Sequence, residues 1–178
     1  QQHYVPFQEP DKNSPAAITC KMAMDDLPAI HSHRAKKLEK QPQRFKEIKG
    51  YPSGKQLNAY TQLMRNWPGY ENQEGFIDHE IRYTPRDYPI FQAMKPGDQY
   101  PEAVEHAMQL LQDQLTQLRK SGRPIRKGSA KYEALKKETV PPYPTATFPN
   151  RWRKLEPNKP SRTLLAHLGK DTYTHIHY

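Results

Sequence analysis

In 178 residues the chain carries only 29 Leu, Ile, Val or Phe side chains, against 18 Pro, 11 Tyr and a formal net charge of +9. So little aliphatic surface, with so much charge, falls short of offsetting the conformational entropy of ordering the whole length, which excludes one large core. The longest apolar runs are two or three residues, so nothing approaches the roughly 20 needed to span a bilayer. Cys20 is the lone cysteine, which excludes an internal disulfide and a multi-cysteine zinc site and favours a reducing compartment.

Pro6, Pro10, Pro15 and Pro28 punctuate a beginning without periodicity, read as an extended arm. Asp25 and Asp26 suit a helix N-terminus, and a short helix is predicted from there to Lys40. Ser53 is placed to cap a second helix running to about Trp67, with Leu57, Tyr60, Met64 and Trp67 on one face and Pro68-Gly69 as its end. Between Tyr70 and Tyr100 turn signals dominate, with Phe76-Ile77 and Ile81-Arg82-Tyr83 as the strand candidates.

Pro101 to Ser121 carries the strongest pattern. Val104, Met108, Leu111, Leu115 and Leu118 recur at helical spacing, as a face meant for a protein interface. Glu102 and Glu105 at the start, and Arg119 and Lys120 at the end, have the signs the helix dipole favours, with Gly122 just beyond. Ser129 to Thr139 predicts a shorter helix with Tyr132 and Leu135 on one side. Pro141, Pro142, Pro144 and Pro149 impose extension, Ser161 to Leu168 reads as a last helix, and Thr172 to Tyr178 alternates as a strand does.

The expected fold is therefore mostly irregular and extended with a few α-helices: small, α-rich and partner-supported, with no large single core. Short β pieces are expected around 76–83 and 172–178. Four stretches are expected: a Pro-rich arm over 1–28 and short helices and turns over 29–100, then the long helix, basic loop and short helix over 101–139. A Pro-rich extension with a short helix and tail follows over 140–178.

Six of the thirteen residues from 119 to 131 are cationic and none is acidic: Arg119, Lys120, Arg123, Arg126, Lys127 and Lys131. Gly and Pro keep that segment open, so its cations can follow a row of phosphates and release counterions. A solvated loop beside a helix C-terminus, or a contact to an acidic protein, fits the same residues. Arg151-Trp152-Arg153-Lys154 puts an indole among cations, suited to stacking on a base or to anchoring in a protein pocket. A third cationic stretch between Arg34 and Lys49 is diluted by Glu39 and Glu47 and reads as a solvated face.

His31-x-His33 and His175-x-His177 have metal-like spacing but no neighbouring ligand to complete a site, so no metal is expected. Asp78-His79-Glu80 has acid–base residue types without a phosphate loop, nucleophile elbow or dinucleotide fingerprint around it. No catalytic residue, cofactor or enzyme activity is expected.

The reading that follows is a structural subunit of a large organellar assembly, first a mitochondrial ribosomal protein contacting rRNA and many protein subunits. The alternatives are an accessory subunit of a respiratory complex or ATP synthase, and a basic adaptor ordered on one partner. Neither self-association nor a membrane span is expected. Because the sequence begins at Gln1, a matrix location after presequence removal is the expectation.

Overall fold

A computed structural model describes residues 17–28, 43–44, 47–76, 80–81, 84–149, 151–162 and 175–178. Among these residues the fold is small, mostly helical and irregular, with five helices and six two-residue strands. None of those helices is long and apolar enough to cross a membrane.

The dominant element is α4, Tyr100–Lys120. Its start is closed by the Gln99 N–H, which donates to Glu102 Oε2 at 2.9 Å, and Pro101 sits in the first turn where its missing N–H costs nothing. Its end is a Schellman turn. The Arg123 N–H reaches the Leu118 carbonyl at 2.9 Å and the Gly122 N–H reaches Arg119 at 3.1 Å, with Gly122 at φ 73°.

The buried face of α4 is Tyr100, Ala103, Ala107 and Leu111, turned from the face the periodicity predicts. Of that predicted set, Leu111 is buried, Val104, Leu115 and Leu118 are half-buried, and Met108 is 42% exposed. The two alanines explain the rotation, because small side chains let other elements approach the helix closely. Those elements belong to the chain itself: α3, Asp87–Ala93, and α5, Ala130–Thr139. The expectation that the chain has little on which to lay this helix is thus corrected.

Helix α3 falls where turns and short extended pieces are expected. Pro89 hides it, yet in the first turn a proline removes only an N–H that would lack an intrahelical partner anyway. Ile90 and Met94 from α3 join Tyr100, Ala103, Ala107 and Trp152 in the core. Phe91 and Tyr100 both meet the indole edge-on, at ring-centre distances of 4.9 and 5.3 Å. Helix α5 is capped by Ser129, whose Oγ accepts from the Tyr132 N–H at 3.2 Å. It returns along α4, and Thr139 Oγ1 donates to Gln114 at 3.3 Å.

Residues expected in the extended arm include α1, Cys20–Met24, capped by Thr19. Asp25 ends that helix instead of starting one, and most of the predicted segment up to Lys40 lies outside the described residues. Helix α2, Ala59–Arg65, is shorter than predicted and is capped by Asn58, not Ser53. Asn58 Nδ2 also donates to the Met22 carbonyl at 2.7 Å, joining the two helices. Arg65 pairs with Asp26 at 2.8 Å and lies over the Tyr51 ring at 3.6 Å.

Strands β1, Gln43–Arg44, and β4, Glu80–Ile81, pair antiparallel, as do β2, Lys49–Gly50, and β3, Gly75–Phe76. Strands β5, Arg153–Lys154, and β6, His175–Ile176, pair in parallel. The predicted helix over 161–168 lies almost wholly outside the described residues, as does the start of the 172–178 strand.

Candidate nucleic-acid interface

The loop between α4 and α5 is held at both ends by the local bonding just described. The Schellman turn fixes the direction in which the chain leaves α4. Gly128, at φ 80°, and the Ser129 cap fix its entry into α5. Between them the Ser129 N–H donates to the Arg126 carbonyl at 3.1 Å. The fold thus places a short basic loop at one end of a helical hairpin.

Arg119, Lys120, Arg123, Arg126, Lys127 and Lys131 are all exposed there, and none forms an ion pair among the described residues. Only Ile125 and Ser129 in this loop are half-buried. Exposed guanidinium and ammonium groups on a backbone stapled at each end can meet an anionic surface without first giving up a protein partner.

The Arg151–Lys154 stretch is arranged differently. Trp152 is 1% exposed, so the indole meets the core of its own chain and is not open to a base. Its ring N–H has no hydrogen-bond partner among the described residues. Arg151 lies over the Tyr143 ring at 3.6 Å. Lys154 Nζ donates to the Phe91 carbonyl at 2.7 Å, and burial lowers the pKa of its ammonium. Arg153 lines a hollow beside β6, and burial lowers its pKa, with Arg162 adding to the effect.

The histidine pairs do not form converging sites. His175 is half-buried beside Arg153, while the exposed His177 stacks on Tyr178 with ring centres 4.5 Å apart. His31, His33, Asp78 and His79 lie outside the described residues. Sequence reasoning missed Gln99 and Arg162 as neighbours of Arg153. The only signal was Arg162 in a Pro-Ser-Arg turn, because pairing between strands 22 residues apart leaves no local pattern.

No protein-family model and no solved structure matches the chain. A curated protein of Oceanobacillus iheyensis, named "Putative type II methyltransferase M.OihORF3336P", is 37% identical over 169 residues. The aligned part is 94% of this chain and 34% of that protein, so the chain spans about a third of the length of the curated relative it matches.

This similarity overturns the functional expectations drawn from composition. The mitochondrial ribosomal subunit with rRNA and many protein neighbours gives way, as do the respiratory accessory subunit and the adaptor. The expectation of no enzyme activity gives way with them, because the relative bears the name of an enzyme. The physical reason for the error is plain: low aliphatic content and excess cations describe any segment that leans on something else. They do not distinguish a subunit of a large assembly from a stretch of a longer enzyme.

Proposed function

We propose that the chain is a segment of a DNA-modifying methyltransferase, in which the α4–α5 hairpin carries its basic loop to the phosphate backbone. The observation that carries this reading is the similarity to the bacterial type II methyltransferase, which runs over nearly the whole chain. The six exposed cations between Arg119 and Lys131 favour a nucleic-acid substrate over a small or protein one. In this reading the support called for by the scarcity of aliphatic side chains comes from the remainder of a longer polypeptide and from the DNA.

Two measurements test it. A longer protein containing this segment, given duplex DNA and a radiolabelled methyl donor, transfers label to the DNA; label found only in protein or RNA overturns the reading. Replacing Arg123, Arg126 and Lys127 together by Gln weakens duplex binding by more than about tenfold and lowers the salt slope by about three. Melting is unchanged, because these side chains are exposed. Salt-insensitive binding equal to that of the parent rejects the loop as the contact.

A further inference from the structure

A second cationic feature lies at the other end of α4. A hollow of about 340 Å³ opens where three separate stretches meet: the turn from Gly97 to Gln99, the segment from β5 to Arg162, and β6. Arg153 and His175 are register partners in the β5–β6 pair, and Gln99 bridges to Arg153 from the opposite side. Directly paired residues project to the same face. Gln99, Arg153 and His175 therefore form a row along one wall, with Arg162 contributing from another part of the rim.

The charges lining this hollow are unbalanced. Glu156 is the lone carboxylate among the described residues that line it, and it pairs with Lys159 at 2.7 Å. Lys154 is committed to the Phe91 carbonyl. Arg153 and Arg162 are close enough for each to disfavour the other's charge, and His175 is pushed below its ordinary value by burial and by Arg153. An anion entering here would relieve that repulsion and accept from two guanidinium forks.

We infer that the Arg153–Arg162–His175 hollow binds a phosphate group of the DNA backbone, as a second anchor beyond the basic loop. This rests on the DNA reading given above. The two anchors flank α4: Gln99 caps its first turn, and Arg119 and Lys120 lie in its last. With 21 residues at about 1.5 Å each, they stand roughly 30 Å apart. That separation is close to one turn of duplex, about 34–36 Å. A duplex shorter than about eight base pairs therefore fails to reach both, and longer ones gain affinity from the second contact.

The test uses inorganic phosphate and duplexes of 6 and 14 base pairs, followed by ring resonances of His175 and by salt-dependent binding. Both phosphate and the longer duplex are expected to shift the His175 resonances. The exposed-residue variant Arg162→Gln weakens the longer duplex about tenfold, lowers its salt slope by about one, and leaves the shorter duplex unaffected. Arg153→Gln, which alters a strand residue, gives the same pattern if it folds. Unmoved His175 resonances with an unchanged salt slope in Arg162→Gln overturn the anchor, even where the loop variants still weaken binding. A His175 response to phosphate with no binding of either duplex keeps an anion site but overturns its assignment to DNA.

Discussion

The Tyr100 hydroxyl donates to the Tyr143 carbonyl at 2.8 Å, tying the first turn of α4 to the Pro-rich stretch that follows α5. Tyr100 is fully buried, and burial raises its pKa, so it stays a neutral donor. Tyr143 in turn carries Arg151 on one face of its ring and meets Phe148 edge-on. Replacing Tyr100 by Phe keeps the packing and removes one bond. The expected cost is about 1 kcal/mol, or roughly 2–4 °C in melting temperature. Calorimetry that finds the two proteins equally stable would show that this tie contributes nothing.

Trp152 is the largest fully buried side chain, and its ring is held between Phe91 and Tyr100. Trp152→Ala is expected to cost about 3–5 kcal/mol in denaturant unfolding. Trp152→Phe should cost distinctly less, since it also removes a buried N–H that lacks a partner among the described residues. Equal losses for the two variants would contradict this account.

At Gly75, φ is 146° and a Cβ would overlap the Lys49 carbonyl across the β2–β3 pair. Gly75→Ala must shift that backbone or separate the strands, at about 1–3 kcal/mol. Gly54, with nothing near its Cβ position, serves as the control for turn strain alone. Amide exchange at Tyr51, whose N–H donates to the Glu74 carbonyl at 3.3 Å, is expected to accelerate in Gly75→Ala only.

Burial, together with the Asp25 carboxylate that accepts from its hydroxyl at 2.8 Å, pushes Tyr178 up to about 12. A raised value means the folded state favours the proton. The stabilisation is complete below the ordinary tyrosine value near 10 and is lost as pH rises through about 12. Tyr178→Phe is expected to flatten the decline in stability over that window, as read from melting temperature against pH. An identical decline in the variant would rule out this hydroxyl as its source.

Local signals identified some elements and failed on others for definite reasons. Ser129, Gly122 and the charges at each end of α4 act within a few residues, so both long helices of the hairpin were legible almost to their ends. The face α4 would bury was not, because Ala103 and Ala107 score as unremarkable while deciding how closely α3 and α5 approach. Trp152 looked like a surface anchor owing to its cationic neighbours; its burial is set by Phe91 and Tyr100, more than 50 residues away. The basic loop could be read from composition alone. The hollow beside Arg153 could not, since it exists only once β6 has paired with β5.

The order in which these parts leave the translation machinery carries a hazard. Helix α4 is complete at Lys120, but Trp152 and Ile176, which help cover it, follow some way down the chain. At 5–20 residues per second, the interval before Trp152 emerges lasts roughly 2–6 s. Throughout that time the nascent helix offers Tyr100 and Leu111 to any passing apolar surface, so substitutions that slow synthesis between α5 and Trp152 would lower the yield of soluble product without altering the finished fold.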